Sequence, residues 1–125
     1  MNADTATEFD LGPLSWVQGE IDQAISRGLD ALAAYKASPQ DDAALKHARA
    51  HIHQAAGAIQ MVGLDAVVAY TDELERQLAR LEPLGTPERN ALIDVVDRAA
   101  RKLRIFLDEI VKGVPPIPLK LYPEY

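Results

Sequence analysis

The sequence predicts an all-α protein: an antiparallel up-down four-helix bundle followed by an extended, proline-rich C-terminal tail. Three observations carry this expectation. Apolar residues recur at spacings of three and four along four separate stretches. Glycine, proline or a capping aspartate or threonine punctuates the chain between them. The composition, 48% hydrophobic and only 6% aromatic and rich in alanine and leucine, suits helices better than a β-sandwich. At 125 residues the chain reads as one domain, divided into a polar lead (1–12), a helical bundle (13–112) and a tail (113–125).

The lead has no apolar period and reads as a flexible segment. Pro13 suits a first helical turn, with Asp10 or Gly12 before it as cap. Leu14, Val17, Ile21, Ala24, Ile25, Gly28, Leu32 and Tyr35 then repeat at helical spacing, which predicts a helix over 14–37. Trp16 and Tyr35 are expected in its core or rim packing, with interface anchors as the alternative. Ser38-Pro39-Gln40-Asp41 is a turn, and Asp41 or Asp42 can cap a second helix over 42–62. Its stripe is Leu45, Ala48, Ile52, Ala55, Ile59 and Val62, and Gly63 suits its C-terminal cap. A third helix is expected over 65–82, on Leu64, Val67, Val68, Thr71, Leu74, Leu78 and Leu81. Its acidic and basic residues read as a solvated face carrying an Asp72–Arg76 pair. Pro83-Leu84-Gly85 ends it. Thr86 is expected to cap a fourth helix, with Pro87 at its first position and Glu88 near its positive end. Leu92, Val95, Val96, Ala99, Leu103, Phe106, Leu107 and Ile110 carry that helix to Lys112, and Gly113 closes it. The tail, Val114 to Tyr125, holds four of the eight prolines and cannot be helical. Ile117, Leu119 and Leu121 alternate, so it is expected to lay one apolar side on a groove of the bundle or of a neighbouring chain.

The chemistry concentrates on the second helix. His53 falls about 80° from Leu45, on the shoulder of the apolar stripe, where a side chain is held by the bundle yet open to solvent. Gly57 follows four residues on. A mid-helix glycine costs about 1 kcal/mol against alanine, so its position asks for a reason. Helical side chains lean toward the N-terminus, so a side chain at 57 is expected to crowd the imidazole. An exposed helical histidine beside a glycine suits phosphoryl relay. Neutral imidazole is a good nucleophile near pH 7, and a bulky partner must approach it closely. Lys46 and Arg49 lie before His53 on the same side and Gln60 after it, placed to bind phosphoryl oxygens or an acidic partner pocket. The alternative for His53 is a shoulder histidine packed on the bundle with no chemistry.

The run His53-Gln54-x-x-Gly57-x-Ile59-Gln60-Met61-Val62-Gly63 resembles the histidine-containing phosphotransfer (HPt) domain, and more closely the HPt-like N-terminal domain of ChpA/PilL-type chemotaxis hybrid histidine kinases and the related FimL proteins. Leu14-x-Trp16-Val17-x-x-Glu20-Ile21 and Leu119-x-Leu121-Tyr122-Pro123-x-Tyr125 extend the resemblance over most of the chain. It implies a domain of a two-component kinase controlling type IV pili and twitching motility, with His53 as phosphoacceptor. It also implies a response-regulator receiver domain and the parent's kinase core as partners, ATP and Mg²⁺ held by those partners, and no cofactor in the domain itself. A longer parent, of which this chain is a fragment, follows from the same likeness. HPt domains carry a lysine three residues after the histidine; here that position is Ala56. The departure, and the likeness to FimL, keep open a phosphorylation-silent bundle that acts as an interaction scaffold.

Other classes fit poorly. A net charge of −6 and a pI near 4.9 disfavour nucleic acid as a partner. Without cysteine there is no disulfide frame, which fits the cytoplasm. The acidic lead is no signal peptide. Gln60, Asp65 and Asp72 interrupt the longest apolar run short of the ~18 residues of a membrane span, so no membrane insertion is expected. His47 and His51, four apart, lack a third ligand, and no metal site is expected. The isolated domain is not expected to be an enzyme: Ser15, Ser26, Ser38 and the threonines fit no nucleophile signature, and no phosphate-binding glycine loop is present.

Overall fold

A computed structural model describes residues 11–113 as four helices with no strand among them. These are α1 (Leu11–Ala37), α2 (Asp42–Met61), α3 (Asp65–Ala79) and α4 (Thr86–Val111). The expected cap Asp10 and the tail both lie outside the described residues, so the tail's expected groove contact does too. No described helix is long and apolar enough to cross a membrane.

The local signals act as their chemistry dictates at most boundaries. Asp41 caps α2, its carboxylate accepting from the Ala44 N–H at 3.2 Å. Gly63 and Gly113 follow α2 and α4 at φ of +81° and +92°, conformations open to glycine. Two boundaries depart from expectation. Helix α3 stops at Ala79 rather than Glu82, although Leu81 is still buried in the core. The N-cap of α4 is Gly85, whose carbonyl accepts from the Arg89 N–H at 2.8 Å. Thr86 is already helical there. Its hydroxyl serves another role: it accepts from Arg89 Nη2 at 3.1 Å, while Nη1 donates to the Leu84 carbonyl at 3.0 Å. The Arg89 guanidinium also stands 6.0 Å from the centre of the Tyr35 ring. A buried charge is costly unless it is hydrogen-bonded, and these contacts secure the α3–α4 joint to the end of α1.

Each helix buries the stripe its sequence spells. Ile52, Ile59, Leu74, Leu78, Leu103 and Phe106 all sit in one core. Helix α1 packs on α2 and α4, and α3 packs on the same two. Gln18 donates to Asp108, Arg104 pairs with Asp22 through two nitrogens, and Lys36 pairs with Asp94. Along α1 these partners descend in number on α4, so the two helices run in opposite directions. Tyr70 donates its buried hydroxyl to the Ala99 carbonyl at 2.9 Å, which ties α3 to α4.

Trp16 does not pack in the core: it is 89% exposed. It lies roughly 160° from the centre of the stripe that buries Leu14, Ile21 and Ile25. Tyr35, on that stripe, is buried as expected.

Helix α1 comes close to α2 at Gly28. A Cβ there would lie 3.0 Å from Ile52 Cδ1 and 3.1 Å from its Cγ1. Overpacking of this kind costs about 1–3 kcal/mol, against about 1 kcal/mol gained in helix propensity. Gly28→Ala should therefore cost less stability in an Ile52→Val background, where Cδ1 is gone, than in the wild type; urea unfolding of the double-mutant cycle reads the coupling. Ile59 has no exposed surface, and Ile59→Ala should cost about 2–5 kcal/mol in the same assay.

Candidate functional site

Helix α2 places Ile52 inward, and one residue further round the helix His53 points out. Its side chain is 78% exposed, and Nδ1 lies 2.8 Å from Oε1 of Glu75 on α3. A carboxylate only accepts, so in the neutral ring Nδ1 carries the proton and Nε2 the lone pair. Glu75 thus favours the tautomer in which the nucleophilic lone pair sits on Nε2. Glu75 had read as one of several solvated acids on α3. Its pairing had a signal in the chain: His53 and Glu75 stand eleven residues either side of Leu64, at the turn joining α2 to α3. A helical hairpin folded about that turn brings equidistant positions level.

The other expected site residues share the face. Lys46, Arg49 and Gln60 are exposed and Gly57 is half-exposed. With His53 they occupy an arc of roughly 80° around α2 and about 21 Å along it. The structure brings no contact between these side chains and the imidazole. It also revises the part given to Gly57. A Cβ there would meet nothing within 4 Å, so an alanine would not crowd His53. The glycine instead leaves the helix surface bare one turn beyond the ring. Ala56, where HPt domains carry lysine, is 7% exposed. A lysine there would begin at the edge of the core and would have to extend its stem outward to solvate its charge.

On α3 the carboxylate of Glu73 accepts from Arg76 Nε at 3.0 Å and from the Gln77 amide. The Arg76 bond, then the Gln77 bond, hold its pKa below the ordinary carboxylate value. Arg76 thus reaches Glu73, and Arg80 donates to Gln77 at 2.7 Å.

Comparison with known proteins finds no family model, no curated protein and no solved structure that matches this chain.

No group of three or more histidine, aspartate or glutamate side chains among the described residues is arranged to hold a metal ion. His47 is exposed and His51 half-buried. The double variant His47→Ala/His51→Ala should keep its stability within about 0.5 kcal/mol, as ordinary surface changes do. A zinc-dependent rise in melting temperature that this variant abolishes would overturn the expectation.

Proposed function

We propose that the chain is a histidine phosphotransfer domain, an up-down antiparallel bundle in which His53 accepts and donates a phosphoryl group within a chemotaxis-type two-component system. The observation that supports this best is the His53–Glu75 pair: an exposed imidazole with Nδ1 engaged at 2.8 Å, which leaves the lone pair to Nε2 in the neutral ring. The resemblance of the His53–Gly63 run to the HPt pattern adds the phosphoryl group to the reading, and the ChpA/PilL-type likeness adds control of type IV pili in the cytoplasm.

The chemistry asks little of the bundle beyond positioning. The Nε2 lone pair attacks the γ-phosphorus of ATP held with Mg²⁺ by the kinase core. The P–N bond forms as the bond to the β–γ bridging oxygen breaks, and ADP leaves. As Nε2 gains positive character, the Nδ1 proton is held toward Glu75, which stabilises the developing imidazolium. In the second step an aspartate oxygen of the receiver domain attacks the same phosphorus, the P–N bond breaks, and the imidazole returns to its neutral form. Lys46 and Arg49 offer positive charge to the phosphoryl oxygens or to an acidic receiver pocket, and Gln60 offers an amide.

One observation favours a second reading. Ala56 is buried where the HPt lysine would stand, so the charge that the family keeps near the phosphoryl group is missing. In that reading the domain is a scaffold and the His53 face is a docking surface.

Incubation with ATP and the kinase core of the parent protein separates the two. Specific labelling of the wild type, lost in His53→Ala, is expected. Glu75→Ala should label more slowly by about three- to tenfold, because half of a charged hydrogen bond of about 1.5–3 kcal/mol corresponds to about half to one decade in rate. No labelling of the wild type, or labelling that persists in His53→Ala, rejects the relay.

A further inference from the structure

Arg89 stands apart from the other arginines. It is 9% exposed, yet its side-chain partners are the Leu84 carbonyl, the Thr86 hydroxyl and the Tyr35 ring, with no carboxylate among them. Its Nε is buried and has no hydrogen-bond partner among the described residues. Arg76, Arg101 and Arg104 are all more exposed, and each meets a carboxylate. A guanidinium keeps its charge at any ordinary pH, and a buried charge is normally paired. The α3–α4 corner thus holds a positive charge without a carboxylate counter-ion.

We infer that this corner is an oxyanion site that takes a phosphate group, either free in solution or carried on Thr86. Two more features converge there. Arg89 Nη2 reaches Thr86 Oγ1 at 3.1 Å, and Thr86 is exposed, so the guanidinium is directed at the surface where an anion arrives. Thr86 is also the first residue of the 26-residue α4, whose N-terminus is the positive end of the helix dipole. The opening N–H groups of a helix have no intrahelical acceptor. Gly85 gives them no side-chain cap and Pro87 has no N–H, which leaves those of Thr86 and Glu88 to an anion. A planar guanidinium beside such N–H groups suits a tetrahedral oxyanion.

Glu88 is the local competitor. Its Oε1 lies 3.5 Å from where a Cβ added at Gly85 would stand, so its carboxylate folds over the helix end. Glu88 is exposed and its side chain is free to swing out. A free phosphate must displace it from solution. A phosphoryl group on Thr86 meets the same competitor at a far higher effective concentration. That group forms when Thr86 Oγ1 attacks the γ-phosphorus of ATP held by a serine/threonine protein kinase. The O–P bond forms, the bond to the β–γ bridging oxygen breaks, ADP leaves, and the hydroxyl proton passes to the general base of the kinase. The product sets a phosphate beside Arg89 at a helix N-terminus, where such a group gains charge-assisted hydrogen bonds.

The full 125-residue chain tests both sources. With inorganic phosphate in place of chloride at equal ionic strength, the amide resonances of residues 85–90 should shift and saturate. A chain synthesised with phosphothreonine at position 86 should melt roughly 4–8 °C higher than the unmodified chain, as one added hydrogen bond does in a domain of about this size. Arg89→Met should abolish both effects. Glu88→Gln keeps Arg89 in place, so it serves even where Arg89→Met does not fold. By removing the competing charge it should tighten phosphate severalfold and enlarge the phosphothreonine gain. Saturable shifts with free phosphate assign the site to a soluble anion, and a gain confined to the phosphothreonine chain assigns it to Thr86; either supports the site. Neither a shift nor a gain overturns the inference. Shifts centred on Lys46 and Arg49 overturn it too, as do effects indifferent to Glu88→Gln. A gain that survives in Arg89→Met also rejects the site, because the helix end alone then accounts for it.

Discussion

The seating of Ile52 against Gly28 sets the rotation of α2, and the site depends on that rotation. A missing Cβ lets α1 approach until the Ile52 side chain fills the space over residue 28. With Ile52 fixed inward, the next residue must emerge about 100° further round. That direction carries His53 out of the core and toward the edge shared with α3, where Glu75 meets it. A small turn of α2 would bury the imidazole or lift it off its carboxylate. The histidine's geometry is thus a by-product of core packing one residue away, and no special backbone device is needed to hold it.

Polar contacts add direction to this apolar frame. Asp22 with Arg104 and Lys36 with Asp94 fix how α4 lies along α1. Tyr70 spends its one hydroxyl on a carbonyl of α4. None of these has to supply much energy, since exposed ion pairs contribute about 0–1 kcal/mol. Their effect is on register: a slide of either helix by one turn would separate several pairs together.

The helices and their buried faces were legible in the sequence because both follow from periodicity, which is a property of single segments. Ile52, Ile59 and Leu103 could be placed inside without knowing their neighbours. What was not legible depended on pairs of segments or on competing local options. Glu75 looked like any solvated acid until the hairpin set it beside His53. Trp16 was expected in core or rim packing, although its angle on α1 already put it outside. Thr86 had the right chemistry for a cap, but Gly85 took that place and the hydroxyl went to Arg89. Gly57 and Ala56 show the limit of reasoning from one helix: whether a side chain there meets anything depends on the space around it.

The anchoring of Arg89 has a consequence for how the fold responds to acid. Glu73 has a depressed folded-state pKa, held down first by Arg76, and so does Asp108, held down first by Lys112. A depressed carboxylate lends stability above its unfolded pKa, and that contribution fades as pH falls through the folded value. Arg89 is different. Its partners are a carbonyl, a hydroxyl and an aromatic face, and no carboxylate is among them. The Arg89 contacts at the α3–α4 joint therefore do not hang on a carboxylate, while those of Glu73 and Asp108 do. Falling pH therefore acts on the Glu73 and Asp108 contacts at the helix surfaces before it acts through any group that Arg89 touches.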